Sequence, residues 1–452
     1  MSSQNSLKKD KKSIGNLTLI IFAFATAFFP RVLTYFGAPS PVNFIHFLAV
    51  PAAFGIIAFT TKINDRKQIK IFHELSFACL LFLTCVLVSS IINQAGFANI
   101  LLQYLLLIEP FIMLLAIVAI PIVRERLVYF KKYLFGFLSV NLVLALIQSV
   151  LLPIGIYPRR GGTIQDNTAG VFAGSSGSAG NYVSCTVSVY FALYLLNFSK
   201  STPLWLRITT LILALYQTYV SDSKQVFLAF ILGVVLLILS KLENPVKILA
   251  YVIPLLLVLA VFLWAVQSTD VEFLSPYRNW IKRSYIYAPG GDAFVAKTAA
   301  LEIIPSHFET PLNWFFGLGP GHTVTRLGGW MIRKYASLLA PLGVTLHPAS
   351  GEVFQVMLDS WIIQESSIFA PLFTWVGIWG DFGVIGLIAY LYICFVVWKH
   401  FCLDDTCRFL LLSTAALGFM LTQMEEPGQM LTIACFLGLR WHERQAHSKG
   451  IG

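Results

Sequence analysis

Charge is what this sequence has least of. Of its 452 residues, 12% are Asp, Glu, Lys or Arg and 57% are hydrophobic, and the mean hydropathy is +0.74. A soluble domain carries roughly 25% charged residues. Too little charge is present to wet a globular surface, so the chain reads as a membrane protein. Three other features are missing. The basic start MSSQNSLKKDKKS runs into an apolar stretch with no small-residue cleavage site after it, so Ile14 to Phe29 reads as a retained helix. The glycine-rich GLGPG at 317–321 lacks the lysine and hydroxyl of a phosphate-binding Walker loop and reads as a tight turn. The pair Cys402 and Cys407 lacks zinc-ligand spacing, and no metal or other cofactor is expected.

What is present is long apolar runs. A helix needs about 20 apolar residues to cross a bilayer. Runs near 14–29, 42–61, 75–93, 98–120, 133–156, 182–198, 204–219, 225–240, 247–267, 369–398, 409–424 and 428–440 predict twelve spans and an all-α polytopic fold. With the N-terminus inside, 21 of the 32 Lys and Arg fall on the cytoplasmic side. The short outer loops then hold only Arg31, Arg159, Arg160 and Lys224. Both termini are therefore expected in the cytoplasm. The formal charge of +10 follows this asymmetry, so no nucleic-acid partner is expected. None of the seven cysteines falls in an outer loop, so no disulfide is expected there.

The organisation that follows is nine helices over 1–267, a long outer loop over 268–368, and three helices with a cytoplasmic tail over 369–452. A loop of that length should carry structure of its own, with helices over 293–304 and 350–363. The second, GEVFQVMLDSWIIQ, has apolar residues at three-four spacing and fits an amphipathic helix, for which packing is the plain role.

Cations on the outer side oppose the topological trend and so invite a functional reading. The stretch YPRRGGTIQDNTAG carries Arg159 and Arg160, SDSKQ carries Lys224, and SPYRNWIKRS carries Arg278 and Arg283. Arg278 and Lys282 share a face if helical, as do His322 and Arg326 in GLGPGHTVTR. Lys224 at a span end fits snorkelling as well as anion binding. Arginine forks match phosphate oxygens. Fixed cations stabilise a leaving pyrophosphate as its charge grows, and a site without a DxD-like pair in the outer loops would depend on them. Candidate bases are His347, His322, Glu352, Glu365 and Asp381; Asp381 also fits a helix N-cap. Glu425 and Glu426 fall in an outer turn and read as exposed.

These elements together resemble the O-antigen polymerase and O-antigen ligase superfamily. Arg160-Gly161-Gly162-Thr163 resembles its arginine-containing outer motif. SDSKQVFLAF resembles its Ser-Arg turn, with Lys224 where arginine is usual, and GDFGVIGLIAYLY at 380–392 resembles the glycine-rich helix after the long loop. The resemblance implies a bacterial inner-membrane glycosyltransferase that takes a glycan from undecaprenyl pyrophosphate at the periplasmic face. It is expected to work without a metal and with inversion, with membrane lipid, a chain-length regulator and a flippase as partners. Ligases of the family carry a His-Asn pair before that helix. Here the place reads QESSIFAPLF, with Glu365, Ser366 and Ser367. This favours a polymerase over a ligase. The alternative from another class is a transporter, which twelve spans also suit and for which Glu109-Pro110 inside the fourth span is the strongest feature.

Overall fold

The computed structural model describes residues 2–63, 65–121, 124–159, 163–173, 180–241 and 245–448. Among these there are helices and turns and no strand. The main helices are α1 (Ser2–Phe28), α2 (His46–Thr60), α3 (Arg66–Ile92), α4 (Phe97–Ala119), α5 (Arg124–Leu151), α6 (Gly180–Phe198), α7 (Leu204–Val220), α8 (Lys224–Leu239), α9 (Pro245–Ser268), α10 (Asp292–Ser306), α11 (Pro348–Asp359), α12 (Thr374–Phe401), α13 (Asp405–Gly418) and α14 (Pro427–Ser448). A helix occupies each of the twelve predicted apolar segments. Among the described residues five stretches are long and apolar enough to cross a membrane: Ser40–Thr60, Arg66–Ile92, Phe97–Ala119, Glu125–Leu151 and Ser367–Phe401. The chain is an all-α membrane protein.

Helix α4 is the most enclosed of the five, with 78% of its apolar window buried against 22% for Ser40–Thr60. It packs against α2, α3 and α14, and its Leu107, Ile108 and Leu114 are core residues. Hydrophobicity on every face marks a helix of this kind. Glu109 does not stand alone within it. His46 Nδ1 lies 2.9 and 2.8 Å from its two carboxylate oxygens, and both residues are buried.

The long segment after α9 carries the predicted α10. The second predicted helix is divided at Ser360, whose extended backbone separates α11 from Trp361–Glu365. The segment docks on α12 through a break in that helix. Gly383 has φ +66°, outside the helical region, and a Cβ there would lie 2.2 Å from the Phe315 carbonyl carbon. Only glycine fits this conformation and this approach without strain. The break frees the carbonyls of Gly380 and Asp381, which accept from Leu318 N–H at 2.8 Å and Gly319 N–H at 3.0 Å. The GLGPG turn thus completes the broken helix, with Gly317, Gly319 and Gly321 all at positive φ.

Candidate anion-binding cavity

The described residues enclose a cavity of about 550 Å³, within the usual range for small-molecule sites. Its walls include apolar side chains such as Phe44, Phe47, Leu106, Val183 and Leu372. Four cations line it: Arg31, Arg326, Arg333 and Lys334. The carboxylate in its lining is Glu426. Another cavity of about 310 Å³, lined from α4, α12, α13 and α14, has no charged residue in its lining.

Local sequence explains how the cations converge. Arg31 follows Pro30, which opens the short helix Pro30–Tyr35 after α1. Arg326 precedes a π-helical turn, Leu327–Met331, continued by Ile332–Lys334. Leu327, Met331 and Ile332 of that turn bury against Leu102 and Leu106 of α4. This leaves Arg326, Trp330, Arg333 and Lys334 on the cavity side. Trp330 sits between Arg326 at 5.1 Å and Lys334 at 5.5 Å from its ring, and Arg333 lies 4.7 Å from the Phe354 ring of α11.

The acidic partners come from the turn before α14. Glu426 Oε2 accepts from Arg31 Nη2 at 2.6 Å and also from Arg326 Nη1. Glu425 Oε2 accepts from the Arg326 backbone N–H at 2.8 Å and faces Gln103 Nε2 at 3.5 Å. Burial pushes the Glu425 carboxyl up to about 8. Burial also pulls the guanidinium groups down, to about 10 for Arg31 and about 9 for Arg326, and both stay charged at neutral pH. Lys334 is exposed at the rim; surrounding protein, then Arg31 and Arg326, lowers its ammonium to about 8. Arg326 Nε and the amide nitrogen of Gln423, both donors, are buried with no hydrogen-bond partner among the described residues. An oxyanion with several acceptor atoms fits such a set of donors.

Of the cations singled out in the sequence, Arg326 reaches this cavity. Arg159 is exposed and outside the cavity lining, and Arg160 lies outside the described residues. Lys224 pairs with Asp222 at 2.8 Å, in a turn whose Ser221 hydroxyl donates to the Thr168 carbonyl. Arg278 binds its own neighbourhood: the carbonyls of Val266 and Thr269, and Asp270 at 3.3 Å. Arg283 is exposed. His322 does not share a helical face with Arg326, because 317–325 forms no helix.

The candidate bases form two other groups. Asp381 is not an N-cap; it lies within α12, fully buried, just before the break. Its carboxylate accepts from Gly321 N–H at 2.7 Å, Thr323 N–H at 2.9 Å, Thr323 Oγ1 at 2.7 Å and Thr325 Oγ1 at 3.1 Å. It pins the docked segment. His322 has both ring nitrogens engaged, Nδ1 at 2.7 Å from the Leu318 carbonyl and Nε2 at 2.8 Å from Thr345 Oγ1. His347 caps α11, accepting from Ala349 N–H, and its ring stacks with His322 and meets His307 edge-on. Glu352 pairs with His307 at 3.0 Å, and Glu365 is exposed. None of these lines the cavity. Among the described residues no set of three or more His, Cys, Asp or Glu is arranged to hold a metal ion.

Sequence reasoning passed over Arg333, Lys334 and His46, counted Arg31 without selecting it, and left Glu425 and Glu426 as exposed. Both glutamates are buried, at 1% and 5% exposure. One available signal was that Arg31 opposes the topological trend in the same way as Arg159. Another was a Glu-Glu pair opposite excess positive charge. No protein-family model matches the chain, and no curated protein is significantly similar to it.

Proposed function

We propose that this chain is a bacterial inner-membrane glycosyltransferase that polymerises a surface polysaccharide at the periplasmic face. In this reading the twelve apolar helices all cross the membrane, both termini are cytoplasmic, and the segment between α9 and α12 is periplasmic. The donor is a glycan on undecaprenyl pyrophosphate, and the acceptor is the end of another glycan. The observation that carries the reading is the convergence of Arg31, Arg326, Arg333 and Lys334 on a cavity whose walls are otherwise largely apolar. In the proposed topology all four lie on the outer side.

The cations fit the leaving group. An acceptor hydroxyl oxygen bonds to the anomeric carbon, and the bond from that carbon to the pyrophosphate oxygen breaks. The pyrophosphate keeps the bonding pair, and the hydroxyl proton leaves to water. Charge grows on the pyrophosphate oxygens as the bond stretches, so preorganised guanidinium groups stabilise the transition state more than the bound donor. Attack from the face opposite the leaving group inverts the anomeric centre.

The test uses purified protein in lipid, a polyprenyl-pyrophosphate oligosaccharide and EDTA. Wild type is expected to give a glycan ladder on a gel, and Arg31→Ala and Arg326→Ala to lose it. One addition onto a lipid acceptor would make the protein a ligase. No product from any donor, with solute movement in vesicle flux assays, would replace this reading with a transporter.

A further inference from the structure

We infer that Glu426 is an internal stand-in for the substrate's phosphate, holding Arg31 and Arg326 together until the pyrophosphate enters and then yielding its place. The inference rests on the pyrophosphate reading of the cavity and adds how the site is kept assembled and released. One oxygen, Glu426 Oε2, receives a hydrogen bond from each of two largely buried guanidinium groups. That is where a bridging phosphate oxygen would sit, since a carboxylate and a phosphate offer arginine the same acceptor geometry.

Glu426 satisfies this pair only in part. Each guanidinium has five N–H donors, and Glu426 takes one from each. Arg326 Nε stays buried without a partner among the described residues, as does the amide nitrogen of Gln423, a residue of the cavity wall. A pyrophosphate brings more oxygens to the same donors. Two buried guanidinium groups side by side repel each other, so a carboxylate between them keeps the site assembled.

Glu426 is also placed to move. It is the single residue between the turn Gln423–Glu425 and Pro427 at the start of α14, with extended backbone at φ −89° and ψ 109°. Its side chain can rotate while its carbonyl keeps the bond from Met430 N–H at 3.0 Å. Neither helix has to unwind.

The consequence is competition. The anion must displace Glu426 to bind, and Glu426 returns to expel the pyrophosphate lipid after transfer. The test is binding of inorganic pyrophosphate to the full chain in nanodiscs by calorimetry. Glu426→Gln is expected to tighten binding about tenfold, because a neutral amide competes less well than a carboxylate for the two guanidinium groups. Glu426→Asp keeps the charge on a stem too short to bridge both arginines. It is expected to tighten binding as well, and serves if the Gln variant does not fold. Loss of a merely structural residue would weaken binding, not strengthen it. With a lipid donor, Glu426→Gln should lower KM and kcat together, because product release slows. Unchanged or weaker pyrophosphate binding in both variants overturns the inference. Tighter binding in a protein that makes no glycan from any donor keeps the inference and removes the glycosyltransferase reading. Ladders with unchanged affinity do the reverse.

Discussion

Arg31 and Glu426 are 395 residues apart in the chain and meet at 2.6 Å. The contact joins the turn after α1 to the turn before α14, and Arg326 from the long segment joins the same oxygen. Three distant stretches therefore share one carboxylate. A site built this way exists only when the first helix, the last helix and the docked segment are all in place.

The arginines carry the first prediction. Arg31→Ala and Arg326→Ala should each lower kcat/KM for the lipid-linked donor by about 10²-fold or more, the scale of losing one fixed transition-state donor. Arg31→Lys should recover little, because an ammonium cannot reproduce the fork. Arg159→Ala and Arg283→Ala should stay within about twofold of wild type, since both side chains are exposed. Melting curves alongside the rates show whether a loss comes from unfolding.

Lys334 gives the pH dependence. Its ammonium, lowered to about 8, is charged at neutral pH and loses its charge in the free site as pH rises through that value. The bound anion favours the charged form. Pyrophosphate affinity should therefore fall as pH rises, by up to about tenfold for each pH unit above the shifted value. Glu425, raised to about 8, ionises over the same range and pushes the same way. Lys334→Arg stays charged and should flatten part of the fall, and Glu425→Gln should flatten the rest. The ligand's own titration is common to all three proteins. Identical pH profiles would show that neither group senses the anion.

Asp381 should govern stability rather than the anion. Asp381→Ala leaves buried donors from Gly321, Thr323 and Thr325 unpaired, at a cost of about 3 kcal/mol or more. Thr323→Val removes one of these bonds and should cost about 1 kcal/mol. Both should lower Tm, and Thr323→Val should leave pyrophosphate affinity unchanged. A selective loss of affinity at an unchanged Tm would assign Asp381 to the anion site instead.

Gly383→Ala combines two penalties, a positive φ and a Cβ 2.2 Å from the Phe315 carbonyl carbon. Gly155→Ala has the positive φ alone, with nothing within 4 Å. The Gly155 variant should lose about 1–2 kcal/mol. The Gly383 variant should lose more, and proteolysis of the segment over 307–326 should accelerate only there. Equal protease sensitivity in the two variants would show that the helix break does not hold the segment down.

The apolar helices were legible because each reports itself locally. A bilayer demands about 20 apolar residues in sequence, and a window of that length sees them. The cation signal was half legible. Counting charges against topology flagged Arg31, Arg159, Arg160 and Lys224 alike, and counting alone cannot tell which of them meet. Lys224 has its counterion two residues away at Asp222, and Arg278 has its own in Asp270. Arg31 has no acidic residue near it in sequence and finds one across the fold. A cation whose partner is not local was the sign to weigh.

That this protein is helical, apolar and membrane-bound, with a long segment before its last helices, can be read along the chain. Those properties follow from composition and run length, which folding does not alter. The place of the site is set by folding. The broken helix at Gly383 and the Asp381 carboxylate seat the 317–325 segment, and that seating brings Arg326 to Arg31 and buries Glu426 between them. Charge in a low-dielectric interior is set by what lies within a few ångströms, and chain order does not say what that will be.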